Sequence, residues 1–170
     1  MAQKQTILTQ RMKLSPVRED ELEELHQIWI EPKVRKYLWD DIIIPKTQTQ
    51  KIITQNLTAF ANKQYGLWVV RLIDRNEIIG FNGYWQFFDP PQTQLLYGLL
   101  PQYWGQGLAT EMSKAMLDYG FKEYGFKTIN ASTDLENKNS LAVLERLGMK
   151  YVKQENIDNK ETLFYQLRLI

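Results

Sequence analysis

With 170 residues, the chain is long enough to bury one substantial core and short for two, so a single domain over residues 1–170 is expected. Apolar residues make up 44% of it and charged residues 24%, ordinary soluble-globular values, and the formal net charge is +1. That balance gives no reason to expect nucleic acid or an anionic membrane as a partner. No cysteine is present and only one histidine, which excludes disulfides, a cysteine nucleophile and thiolate metal sites.

His26 is therefore the only imidazole available to a zinc site or a Ser-His-Asp triad. It lies in a charged helical stretch, where a surface or half-buried structural histidine is expected, and no metal is anticipated. No apolar run approaches the roughly 18 residues of a membrane span. The opening Met-Ala-Gln-Lys-Gln lacks the apolar core of a signal peptide, so a cytoplasmic location is expected. Aromatic residues reach 12%, five of them Trp, and such rings line clefts as well as fill cores.

In chain order, residues 7–14 form the first strand, with Pro16 as its stop. Residues 19–30 read as a helix whose apolar face is Leu22, Leu25, Ile28 and Trp29, with acidic residues in its first turn. Pro32 interrupts that pattern, and a connection bearing Trp and Ile leads to a second helix over 47–63, with Ile52, Ile53, Leu57 and Phe60 at helical spacing. From Leu67 the period shortens. Residues 67–73 and 78–88 are strands joined at Asp74-Arg75-Asn76, Asp89-Pro90-Pro91-Gln92 is a turn, and residues 94–100 form a third strand. Short connections imply an antiparallel meander.

The second half alternates. A helix over 106–124, a strand over 128–133 and a helix over 138–147 capped by Gly148 precede strands over 149–153 and 162–169. The predicted class is α+β or mixed α/β around one sheet, with strand 94–100 free to lie parallel to strand 128–133 through a right-handed crossover.

The most informative stretch is Leu99-Leu100-Pro101-Gln102-Tyr103-Trp104-Gly105-Gln106-Gly107-Leu108-Ala109-Thr110-Glu111, where a strand gives way to a Gly-rich turn and a helix. At such a junction backbone N–H groups lack intrahelical partners and the helix dipole favours an anion. Glycine keeps side chains from holding phosphates away from those amides. Two glycines alone fit an empty turn equally well. A Walker loop is excluded because no Gly-Lys-Ser/Thr follows, and the dinucleotide fingerprint because its sixth position is Thr110 and the motif follows a meander.

The run from Tyr103 to Glu111 resembles the acetyl-CoA pyrophosphate loop of the GNAT N-acetyltransferases, and most closely their RimJ/RimL branch, which acetylates N-termini of ribosomal proteins and related amines. Thr9-Gln10-Arg11-Met12-Lys13-Leu14 is similar to that branch's opening strand. Asn137-Lys138-Asn139-Ser140, leading to Leu144-Glu145-Arg146-Leu147-Gly148-Met149, resembles its second signature. The resemblance spans nearly the whole chain in order.

It implies a GNAT fold: one mixed, mostly antiparallel sheet of about seven strands, with helices on both faces and a splayed parallel pair that binds acetyl-CoA, with no metal. Pyrophosphate would accept hydrogen bonds from the amides of Trp104, Gly105, Gln106, Gly107, Leu108, Ala109 and Thr110. Leu99 and Leu100 would offer backbone groups to the pantetheine, and one of their amides would bind the oxyanion. Asn137 and Ser140 would lie near the pantetheine and sulfur; the same pair suits helix N-capping, and the two roles are compatible.

Three positions depart from the family pattern: Trp104 replaces Gln or Arg at the first loop position, Leu144 stands where many members carry a Tyr general acid, and Gln94 replaces a frequent glutamate base. Direct transfer through a ternary complex is expected, with Ser140 protonating the leaving thiolate and Asp134 as the base. Glu111 supports its helix electrostatically. Trp29, Tyr37, Trp39, Trp85 and Phe87 are candidates for the acceptor cleft, with at least half of them expected as ordinary core. The acceptor is an amine, either a protein N-terminus or a small molecule such as a polyamine, aminoglycoside or amino acid, and the protein a monomer or homodimer. A catalytically silent acyl-CoA-binding domain is the alternative that Leu144 and Gln94 leave open.

Overall fold

A computed structural model describes residues 5–88 and 90–170. It holds an eight-stranded sheet in the order β1-β2-β3-β4-β5-β6-β8-β7. The strands are β1 (Ile7–Leu8), β2 (Met12–Pro16), β3 (Leu67–Leu72), β4 (Gly80–Phe87), β5 (Gln92–Leu99), β6 (Thr128–Asp134), β7 (Lys150–Ile157) and β8 (Lys160–Arg168). The helices are α1 (Leu22–Ile30), α2 (Pro32–Leu38), α3 (Lys46–Ala61), α4 (Leu108–Lys122) and α5 (Lys138–Arg146). Among the described residues, only β5 and β6 run parallel. This is the mixed, mostly antiparallel α/β sheet with one parallel pair that the resemblance implied.

Several elements differ from the sequence expectation, each for a local reason. The strand read over 7–14 is a hairpin, because Thr9 turns the chain: its N–H donates to the Met12 carbonyl (2.9 Å) and its hydroxyl accepts from the Met12 N–H (3.0 Å). Hence there are eight strands rather than about seven. Pro16 is the last residue of β2, opposite Trp68. Pro32, expected to interrupt, instead starts α2, whose two leading amides on Lys33 and Val34 donate to the Glu31 carboxylate (2.8 and 3.0 Å). β7 runs to Ile157, well beyond Lys153, as an exposed edge strand closed by Asp158-Asn159, both left-handed (φ 50° and 67°). Of the turn expected at Asp89-Pro90-Pro91-Gln92, Asp89 lies outside the described residues.

β3 reads as continuously apolar because both its faces are buried. Trp68 and Val70 join Met12, Leu14, Leu95 and Leu99 beneath Leu108, Met112 and Met116 of α4 and Leu144 of α5. Leu67 and Val69 join Phe81 beneath Leu25, Ile28 and Trp29 of α1 and Ile52 and Ile53 of α3. Each such side chain contributes about 1.5–3 kcal/mol on burial. His26 belongs to this second layer. It is buried rather than exposed, with its Nδ1 2.8 Å from the Thr49 hydroxyl. Its structural role stands while its position changes, since the hydroxyl satisfies the ring nitrogen away from water.

Candidate active site

β5 and β6 are neighbours at a single pair, Gln94↔Asn130, and separate beyond it. Gln94 pins the vertex: it is 1% exposed, accepts from the Ser132 hydroxyl of β6 (2.5 Å) and donates to Gln92 (3.3 Å). A neutral amide suits that buried place, where a carboxylate would be costly. Past the vertex, Leu100 N–H donates back to Ile79 (2.9 Å). Antiparallel alternation then directs the backbone groups of Tyr97 and Leu99 away from β4 and toward the opening. Of the two amides expected to serve a ligand, that of Leu100 is taken by Ile79 and that of Leu99 faces the cleft. The Leu99 carbonyl is also occupied, by the Trp104 indole N–H (2.8 Å).

Trp104 thus folds back on its own turn, and its backbone N–H donates to Pro101 (3.0 Å). The expectation that this amide is free fails, because a short 3-10 turn over Pro101–Tyr103 consumes it. Downstream, the N–H groups of Gly105, Gln106, Gly107, Leu108, Ala109 and Thr110 find no acceptor among the described residues. Gly105 and Gly107 are left-handed (φ 74° and 76°), and a Cβ at Gly105 would have nothing within 4 Å. Successive open amides at a helix start form an anion cradle. The Thr110 hydroxyl is buried there without a partner among the described residues.

The cradle is braced from the β1–β2 hairpin. Glu111, on the first turn of α4, accepts from the Thr9 hydroxyl (2.6 Å), the Arg11 N–H (3.1 Å) and Arg11 Nε (2.8 Å). Arg11 Nη1 donates to the Gln106 carbonyl (2.9 Å). Burial pushes the Glu111 carboxyl up, but the Thr9 and Arg11 hydrogen bonds outweigh it and hold the pKa below its ordinary value. Glu111 therefore does more than support its helix: it fixes a guanidinium beside Gly107, supplying positive charge where Trp104 supplies none. The pattern of residues 9–14 carried no sign of this contact.

Across the opening, α5 begins at Asn137, whose side chain accepts from Ser140 N–H (3.2 Å), the capping geometry anticipated for that pair. The Ser140 hydroxyl meets the Tyr97 phenol at 2.6 Å. Burial, partly opposed by that hydrogen bond, pushes the phenol up to about 12. Leu144 is fully buried in the core, so the usual tyrosine position is filled with packing. Asp134, the last residue of β6, is held above the ordinary aspartate value by burial. Lys160, 3.8 Å away, opposes the rise, while Asp40 and Glu136 add to it. Sequence reasoning missed Tyr97; its only signal was sharing a strand face with Leu95 and Leu99.

On the other sheet face, Trp29, Trp39, Trp85, Phe87 and Leu96 border an apolar cavity of about 70 Å³. Trp29 is itself core, edge-on to Trp39 and Phe81 at 5.5 and 6.0 Å. Tyr37 stands apart, its hydroxyl 3.5 Å from the Glu136 carbonyl. Among the described residues, no helix is long and apolar enough to cross a membrane.

An open-amide cradle, a splayed parallel pair and a hydroxyl-bearing helix start face one cleft. A model of the acetyltransferase (GNAT) domain matches residues 11–150. The chain belongs to the GNAT acetyltransferase family. An uncharacterized N-acetyltransferase of Bacillus licheniformis, p20, is 26% identical over 152 residues, spanning 86% of this chain and 83% of its own. The Salmonella typhimurium acetyltransferase described as modifying the N-terminal serine of 50S ribosomal subunit protein L7/L12 superposes with a TM-score of 0.82 at 15% identity, covering 98% of this GNAT chain and 100% of its own. RimL, a ribosomal L7/L12 α-N-protein acetyltransferase in complex with coenzyme A, gives 0.81 at 16% identity, covering 97% and 98%. At such identities the structural likeness establishes the fold of this acetyltransferase.

Proposed function

We propose that this acetyltransferase moves an acetyl group from acetyl-CoA directly to a primary amine within a ternary complex, and that the amine is the N-terminal α-amine of a protein or peptide. The cradle from Gly105 to Thr110 carries the donor assignment, since consecutive unpartnered amides beside Arg11 suit a pyrophosphate. The RimL-like fold supports the acceptor class. The apolar cavity on the α1–α3 face offers room for an apolar side chain of the acceptor.

The chemistry needs little beyond positioning, which supplies about 7–11 kcal/mol when both substrates are held in line. The neutral amine attacks the thioester carbonyl, the C–N bond forms and the C–S bond breaks. The proton lost by nitrogen and the proton gained by sulfur balance. Leu99 N–H, facing the cleft, serves the carbonyl oxygen. Ser140 donates toward the departing sulfur. Asp134, with its raised pKa, accepts the amine proton; an α-amine of pKa about 7.7–8.0 loses it readily. Without cysteine, no thioester to the protein can form, which favours direct transfer.

The test is release of free CoA from acetyl-CoA with a panel of amines: a peptide with a free N-terminal serine, spermidine, an aminoglycoside and free amino acids. Turnover confined to the peptide supports the full proposal, whereas turnover of a small amine alone refutes the acceptor class. Tight acetyl-CoA binding with no CoA release from any amine would overturn transfer itself.

A further inference from the structure

The wall of the cleft formed by α5 lacks the family's phenol at Leu144, but a phenol reaches the same helix from the opposite wall. Tyr97 leaves β5 on the face shared with Leu95 and Leu99. Its hydroxyl lies 2.6 Å from Ser140 Oγ and 3.2 Å from the Ser140 carbonyl. Ser140 and Leu144 are four residues apart and so share one helix face. The phenol therefore arrives one turn before the position where a helical tyrosine would stand.

We propose that Tyr97 is a positioning residue for thiolate release: it donates its proton to Ser140 Oγ and so turns the serine's own proton into the β5–β6 cleft. The proposal rests on the site binding acyl-CoA. A serine near a helix start has competing uses for its hydroxyl, notably bonding back to a carbonyl of the preceding turn. Here no such bond forms among the described residues, and the phenol is the hydroxyl's partner. Two arrangements share this geometry. With serine donating to tyrosine and tyrosine to the Ser140 carbonyl, the pair is closed and offers sulfur nothing. With tyrosine donating to Oγ, serine is free to donate onward, and each bond polarises the next. Negative charge growing on sulfur selects the second arrangement. Because burial keeps the phenol protonated up to about 12, Tyr97 remains a donor at every working pH and no tyrosinate forms.

The test uses CoA itself as the probe and needs no acceptor. The chain has no cysteine, so the only thiol in a sample of protein and CoA belongs to the ligand. Its ionisation can be followed by the ultraviolet absorbance of the thiolate as pH rises. If the chain of donors exists, the bound thiol has a depressed pKa, and Ser140→Ala raises it. Tyr97→Phe, which keeps the ring and its packing, raises it by a smaller amount, corresponding to about a 3- to 10-fold weaker stabilisation of the thiolate. In the Ser140→Ala background, Tyr97→Phe then has no further effect. An equal shift from Tyr97→Phe in both backgrounds, or no shift in either, overturns the proposal. Tyr97→Phe variants are compared only at temperatures below their measured melting transition. A wild-type protein that binds no CoA would instead sink the acyl-CoA assignment, and this inference with it.

Discussion

Replacing Glu111 with glutamine tests the brace that links the β1–β2 hairpin to the anion cradle. In the wild type one carboxylate oxygen accepts from the Thr9 hydroxyl and the Arg11 N–H, and the other from Arg11 Nε. Glutamine can keep its oxygen toward the first pair, which leaves its NH2 group facing Arg11 Nε, donor against donor. The loss is one charge-assisted bond, about 1.5–3 kcal/mol in general. The Arg11 side chain is 43% exposed, so solvent screening puts the cost near the lower end, about 1–2 kcal/mol. For a chain of this size that lowers the melting temperature by about 2–8 °C.

The pH dependence carries a sign. The folded carboxyl has a pKa below its unfolded value, so its contribution is fully present above the unfolded pKa, about 4.3, and fades as pH falls through the depressed folded value. The gap in melting temperature between wild type and Glu111→Gln should therefore be widest at neutral pH and close toward strong acid. CoA affinity, measured by titration calorimetry, should fall about 3- to 10-fold as Arg11 loses its anchor beside Gly107. Equal melting of the two proteins across the pH range would refute the brace.

Gly105→Ala adds a methyl that meets no protein atom within 4 Å. Stability should drop by only the left-handed backbone cost, about 1–2 kcal/mol, while CoA affinity falls by about tenfold or more because the methyl occupies the ligand's approach; calorimetry showing unchanged affinity would contradict the cradle. Gln94→Glu places an ionisable group at 1% exposure. Its pKa should be raised and the protein destabilised on the order of 3 kcal/mol above that pKa, with no gain in turnover; thermal melts at pH 5 and pH 8 would show the loss growing with pH. Asp134→Asn removes a carboxyl whose folded pKa lies above its unfolded one, so ionisation works against folding at neutral pH. The variant should melt at or above wild type yet lose the carboxyl's contribution to the acidic side of the kcat/KM profile, leaving only the substrate amine's ionisation there, and an unaltered profile would remove Asp134 from the chemistry.

How far the sequence reached depended on whether an element's cause was local. The helix starts at Gly107 and Asn137 and the left-handed cap at Gly148 (φ 77°) follow from residues adjacent in the chain, and they were legible. α2 was missed because a proline that ends one helix and a proline that begins the next look alike until Glu31 is seen to cap Lys33 and Val34. The end of β7 was missed because an exposed polar edge strand carries no alternating apolar signal, and its pairing with β8 supplies the order.

The candidate site divides along the same line. The chain's own order of residues determined that Gly105 and Gly107 would form a turn of open amides before α4 and that Asn137 would cap the helix bearing Ser140, since backbone sterics and capping act within a few residues. Tertiary structure decided which groups are left to act. It spent the amide of Leu100 on Ile79, buried Gln94 and Leu144, brought Arg11 and Thr9 to Glu111 across 100 or more residues, and set Tyr97 against Ser140 across 43. Contacts at such separation depend on how the sheet splays and which helix packs on which face, and no periodicity in the chain encodes them.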